Sequence, residues 1–288
     1  MNKTISLPKC LTGFHLKVIA IVSMLIDHIA YITLPYMLGA SYNVKNGSVV
    51  YDGFKQPLLL WMADHETLLW TINDVLHWIG RLAFPIFCFL LVEGFLHTKN
   101  RGKYAFRLAL FDLILEIPYD MAFNNCLLTL RNNNVFFTLL VGLLMIWGIS
   151  KTKEWFDKLG EDKINVRWKK LIYIGAVVVF AVAAMFLVSF VFDSSYSESG
   201  VLTILILYLL RERKSLAVTI SVVVLAVLNF SVIELFALPV ALLVGMYNNE
   251  RGPSMKYFFY AFYPAHLLIL TFLGVCLGNM EILMEFMK

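Results

Sequence analysis

Apolar residues run through this chain in long blocks, not in the alternating pattern of half-buried strands. Blocks long enough to cross a hydrocarbon core, about 17–25 residues, lie at 15–38, 74–96, 103–123, 170–192 and 256–277. Shorter blocks occupy 134–149, 200–210, 216–230 and 232–247. Their length suits tilted or buried members of a bundle, or a locally thinned bilayer. The pattern predicts an all-α, polytopic membrane helix bundle of about nine transmembrane helices, with about eight or ten as the alternatives. The stretch 54–70, FKQPLLLWMADHETLLW, is too polar to span. It predicts an amphipathic or re-entrant element within an outer connection over 39–73, and 150–169 reads as a cytoplasmic loop. No repeat of fixed period is visible, and one domain over 1–288 is expected.

Composition narrows the class. Hydrophobic residues make up 60% of the chain and charged ones 15%, with a mean hydropathy of +0.75. Soluble domains carry about 25% charged residues, so a soluble single-core enzyme, a disordered chain and a coiled coil are all excluded. Cys10, Cys88, Cys126 and Cys276 form no C-x-x-C pair, which removes a zinc finger, a thioredoxin-like site and a disulfide scaffold.

The net charge of +4 hides an asymmetry. With the N-terminus inside and alternating spans, 19 of the 24 Lys and Arg residues fall on the inner side. They cluster near Lys9 and Lys17, over 99–107, over 151–170, over 211–214 and at Arg251 and Lys256. By the positive-inside rule the N-terminus is cytoplasmic and the C-terminus external. The first block contains Asp27 and His28 and lacks a small-x-small cleavage site, so it reads as a helix and not as a signal peptide.

Charged groups within spans are costly and mark function by default. His28 lies about 20 Å along the first helix from His15, near the bilayer midplane. Adjacent Asp27 points about 100° away, so one of the two faces a site while the other bonds a neighbouring helix. Arg81 sits near the outer end of the second span, close to Pro85. Glu93 and His97 share a face at its inner end. Asp112, Glu116 and Asp120 recur every fourth residue, so this face of the third span lines the bundle interior, with Asp120 near the outer end as a cap or solvated group. His266 stands on the last helix beside Pro264.

By depth, His28, Arg81, Asp112, Glu116 and His266 can share one buried layer. That set suits proton transfer with oxyanion stabilisation, and it equally suits a proton-coupled transporter. No G-x-S-x-G, P-loop or H-E-x-x-H motif occurs. No cluster has zinc spacing, so no metal is expected. Nothing points to nucleic-acid binding.

Four stretches resemble the TraX family, whose named member N-acetylates the pilin of conjugative plasmids. They are LKVIAIVSMLIDHIA at 16–30, IGRLAFPIFCFLLVEGFLHTKNRGKYAFRLALFDLILEIPYDMAF at 79–123, NVFFTLLVGLL at 134–144 and KYFFYAFYPAHLLIL at 256–270. The family is similar to the wider transmembrane acyltransferases, in which a first-helix histidine is taken as catalytic and an F-P-x-F-type second helix follows. His28 and the segment from Arg81 to Phe89 occupy those places here. The resemblance implies a multi-pass protein of the bacterial plasma membrane that moves an acyl group from cytoplasmic acetyl-CoA to a protein or glycan acceptor. His28 is then the expected base or acyl carrier, Arg81 the stabiliser of developing negative charge, and Asp112 or Glu116 the group that orients His28. The segment His97, Lys99, Arg101, Lys103 and Arg107 is the expected cradle for the CoA phosphates. A proton-coupled transporter and a non-catalytic subunit of an envelope complex stand as the two other readings.

Overall fold

A computed structural model describes residues 8–129, 133–158, 166–191, 196–254 and 256–277. Among the described residues every regular element is helical. The α-helices are α1 (Gly13–His28), α2 (Leu34–Lys45), α3 (Lys55–Asp64), α4 (Glu66–Gly80), α5 (Ala83–His97) and α6 (Arg101–Tyr119). They continue with α7 (Val135–Lys158), α8 (Val166–Phe186), α9 (Ser197–Leu209), α10 (Lys214–Leu228), α11 (Pro239–Gly245) and α12 (Lys256–Leu277). Each expected apolar block coincides with a helical stretch.

Among the described residues five stretches are long and apolar enough to cross a bilayer: Gly13–Lys45, Glu66–His97, Val135–Lys158, Val166–Ser189 and Phe258–Leu277. The chain is a helical membrane bundle. The remaining helices are shorter or, like α6 with Arg101, Lys103, Arg107, Asp112 and Glu116, carry charge. Reporter fusions after Lys45 are expected to read outside and after Arg213 inside. A cytoplasmic signal at Lys45 contradicts the inferred orientation. The matching expectations at 160 and 195 lie outside the described residues.

Two connections are more helical than expected. The stretch 39–73 holds the end of α2, all of α3 and the first half of α4. The too-polar 54–70 segment is thus two helices separated at His65. Leu59, Met62 and Leu69 bury against Leu38 and Val44 of α2, while Leu60 and Trp61 stay exposed. Over 150–169, α7 continues to Lys158 because its polar end is made of helix formers with an i,i+3 pair, Lys151 to Glu154 at 3.1 Å.

Chain contacts divide the protein into two compact units. The first comprises 1–10, 85–113 and 130–248; the second comprises 11–84, 114–129 and 249–288. Within the first, α9 packs against α7, α8 and α10, and α10 against α11. Its core includes Leu143, Ile146, Ile204 and Leu225. Val178, Val179 and Val182 of α8 face outward, as a lipid-contacting helix requires. Within the second, α1 packs on α4, α2 on α3, and α12 on α1 and α2.

Among its described residues the second unit contains two widened, π-type turns, Ile29–Thr33 and Asp120–Asn124. The Leu34 N–H reaches back five residues to the Ile29 carbonyl, and Asn125 N–H reaches Asp120 in the same way. Each lies beside a proline, Pro35 and Pro118. Proline withdraws a donor from the i→i−4 ladder and crowds the preceding turn. Such turns re-aim side chains and are frequent at functional sites. Here one follows directly on His28 and the other carries Phe123.

Candidate active site

Asp27 and His28 leave α1 in different directions, and each finds its own partner. His28 is buried and its Nδ1 lies 2.7 Å from Nε2 of His266 on α12. The two ring planes differ by 2°, with centroids 5.0 Å apart. That separation is what an in-plane N–H···N bond leaves, so the rings lie edge to edge and do not stack. His266 Nδ1 in turn donates to the Phe262 carbonyl at 2.9 Å.

A carbonyl only accepts, so His266 Nδ1 carries the proton and, in the neutral ring, its Nε2 accepts. His28 Nδ1 must then donate. This assigns His28 the tautomer with a bare Nε2 lone pair, the form a general base needs. Phe123 and Tyr263 stand edge-on to the His28 ring at 5.4 and 6.0 Å.

Asp27 turns toward α4. Its Oδ1 accepts from His77 Nδ1 at 2.8 Å, and the Arg81 guanidinium lies 3.5 Å away. Gly80 makes this approach possible, because a Cβ there would fall on the Asp27 carboxylate. The His28–His266 and His77–Asp27 pairs are linked by aromatic rings. Tyr31 meets His77 edge-on at 5.5 Å and Phe123 at 5.4 Å, and Phe123 meets His28.

The carboxylates of α6 behave as their spacing implies. Asp112 and Asp120 are buried and Glu116 half-buried, while Leu113, Ile114 and Ile117 are exposed on the opposite face. Asp120 is a local cap, accepting from Asn124 at 2.7 Å and from the Thr129 N–H at 2.6 Å. Asp112 belongs to the first unit, where its main-chain carbonyl accepts from Asn134 at 3.3 Å. At His28 Nδ1 the expected orienting carboxylate, Asp112 or Glu116, is replaced by His266. The reason is the packing of α12 against the turn that follows His28. Arg81, expected as a stabiliser of negative charge, is already anchored by Asp27.

In the first unit, Asn100 caps α6 by accepting the Lys103 N–H at 2.8 Å. Lys99, Lys103 and Arg107 are exposed and form no ion pair among the described residues. Arg101 differs. It pairs with Glu154 of α7 and lies 4.6 Å over the Phe95 ring, a structural role. His97 Nδ1 donates to the Glu93 carbonyl at 2.8 Å. The Glu93 carboxylate is buried and pairs with Lys214 at 2.9 Å, whose ammonium lies 4.9 Å over Tyr247.

Sequence reasoning missed two of these residues. His77 was legible in principle, since it stands four residues before Arg81 and therefore on its face. The Lys214 pairing had no local signal, because its partner lies on a distant helix.

Comparison with known proteins agrees with the resemblance. A family model described as TraX protein matches residues 13–274. A protein of Dichelobacter nodosus, named probable fimbrial assembly protein FimC, serogroup H1, is 25% identical over 286 residues. That similarity covers 90% of this chain and 94% of the relative. No solved structure matches the chain.

Proposed function

The chain belongs to the TraX family, and from that premise we propose that it is an acetyltransferase of the bacterial plasma membrane. It moves an acetyl group from acetyl-CoA to an amine or hydroxyl of a protein N-terminus or glycan. The observation that carries this reading is the His28–His266 pair. A buried imidazole, fixed in one tautomer by a second ring that is itself fixed by main chain, is a prepared proton acceptor. The name of the relative ties that protein to fimbrial assembly, which by analogy supports an acceptor in the cell envelope.

In the proposed reaction His28 Nε2 takes the proton of the acceptor as its nitrogen or oxygen attacks the thioester carbonyl. The tetrahedral intermediate collapses, the C–S bond breaks, and the imidazolium proton passes to the departing CoA thiolate. Arg81, held in place by Asp27, favours the negative charge that develops on the carbonyl oxygen. Lys99, Lys103 and Arg107 hold the CoA phosphates.

Replacing Lys99, Lys103 and Arg107 by Glu is expected to raise the KM for acetyl-CoA at least tenfold, about 1.4 kcal/mol, with kcat little changed. Steady-state kinetics check this, and an unchanged KM moves the donor site elsewhere. Arg101 is left out of the set because its loss breaks the contact with Glu154.

The function itself is tested by incubating purified protein with radiolabelled acetyl-CoA and cell-envelope fractions. Label is expected in a protein or glycan fraction. Unconsumed thioester, with substrate accumulation driven by a pH gradient, points instead to a transporter. Unconsumed thioester with His28→Ala silent in cells points to a scaffold subunit.

A further inference from the structure

A groove of about 550 Å³ opens in the second unit beside the histidine pairs. The turn after His28, one side of α2 from Pro35 to Asn43 and the turn around Phe123 form its walls. Tyr31, Tyr36, Tyr42 and Phe123 give it aromatic surfaces, and Asn43 and Asn125 give it two carboxamides. Among the described residues no charged side chain lines it. Tyr31 touches His77 and Phe123 touches His28, so two of its walls are also the packing partners of the candidate catalytic rings.

Asn125 is a built element of this surface. It holds a left-handed φ of 51°, which asparagine tolerates better than most residues. The Tyr36 hydroxyl donates to its Oδ1 at 2.6 Å. With the oxygen engaged, the amide nitrogen keeps its two N–H groups for a bound partner. Gly39 adds room, since nothing lies within 4 Å of a Cβ built there.

We infer that this groove is the acceptor subsite and that the acceptor it takes is a neutral sugar. The inference rests on the acetyltransferase reading for the word acceptor, and on the lining for the word sugar. A pyranose presents C–H faces that lie against aromatic rings and hydroxyls that both donate and accept. Rings and carboxamides answer both needs, and the volume lies within the usual range of small-molecule sites, roughly 300–1,000 Å³. A protonated amine calls for a carboxylate, and a phosphorylated acceptor for Lys or Arg. Neither type lines the groove. An alkyl chain would cover the carboxamides without giving them hydrogen-bond partners, which is unfavourable. The transferred group then goes to a ring hydroxyl: its O–H bond breaks, an ester C–O bond forms, and CoA leaves as the thiol.

The test is saturation-transfer NMR of the full chain in nanodiscs, with methyl β-N-acetylglucosaminide and methyl β-galactoside as probes. Saturation of the sugar ring protons is expected with the wild type and with the lipid-facing variant Val182→Ala. Gly39→Leu, which grows a side chain into the groove, is expected to reduce the signal at least fivefold, and Asn125→Ala to reduce it as well. If Gly39→Leu does not fold, Asn125→Ala carries the comparison. A wild type that saturates neither glycoside overturns the proposal. So does a folded Gly39→Leu, or Asn125→Ala in its place, with undiminished signal, and so does displacement of the sugar by a neutral peptide with a free N-terminus. The label assay separates the two readings. Glycoside binding without acetyl transfer rejects the acetyltransferase and keeps the sugar site, whereas transfer to a peptide amine without glycoside binding rejects the sugar site alone.

Discussion

Replacing His28 by alanine is expected to lower acetyl transfer at least a hundredfold while the protein still inserts and binds acetyl-CoA. Positioned general bases contribute about 10²–10⁴ in rate, and a hundredfold loss corresponds to about 2.7 kcal/mol of barrier. The prediction is sharpened by the hydrogen-bond chain behind the ring. His266→Ala removes the acceptor that keeps the His28 Nδ1 proton in place, so the base loses its orientation but not its imidazole. Its effect is expected to be about tenfold, smaller than that of His28→Ala. Single-turnover kinetics on membranes carrying equal amounts of each variant would separate the two. If His28→Ala retains turnover within about tenfold, a change of roughly 1.4 kcal/mol, it is not the base. His77 is then the residue to examine, since Asp27 orients its ring as a carboxylate orients a catalytic histidine.

Asp27→Ala carries the largest expected effect on stability. It strips the shared carboxylate from Arg81 and His77, so a guanidinium held in an apolar bundle loses its ion pair with Asp27. Breaking a buried ion pair from one side costs about 3–5 kcal/mol. The side chains of Asp27 and Arg81 are each 19% exposed, so roughly 2–3 kcal/mol is the reasonable expectation here. Thermal unfolding in detergent measures it. Removing both charges, Asp27→Asn with Arg81→Gln, is expected to recover at least about 1 kcal/mol relative to Asp27→Asn alone, as a coupling in a double-mutant cycle. A single-mutant loss under about 0.5 kcal/mol would mean that water reaches the pair freely, as at an exposed surface.

The same carboxylate shows where reading the sequence succeeds. That Asp27 and His28 serve different partners follows from helix geometry alone, because neighbours on a helix point about 100° apart. Likewise the four-residue spacing of Asp112, Glu116 and Asp120 places them on one face, and the exposed Leu113, Ile114 and Ile117 occupy the other. The identity of each partner follows from no local rule. His28 meets a residue 238 positions away, and Asp27 meets one 50 positions away. Arg101 and Lys103 look alike in a basic run, yet one is committed to Glu154 and the other is exposed.

Apolar blocks of bilayer length have no other stable state in lipid, so the order of residues alone makes this chain a helical membrane protein. It also determined which polar residues are out of place in such an environment. How those residues pair, which histidine tautomer results, and where the groove lies beside them emerge from packing of distant helices. The difference is one of range. Helix formation and membrane insertion read neighbours within a few turns, whereas a buried imidazole or carboxylate must be satisfied by whichever group packing brings within about 3 Å.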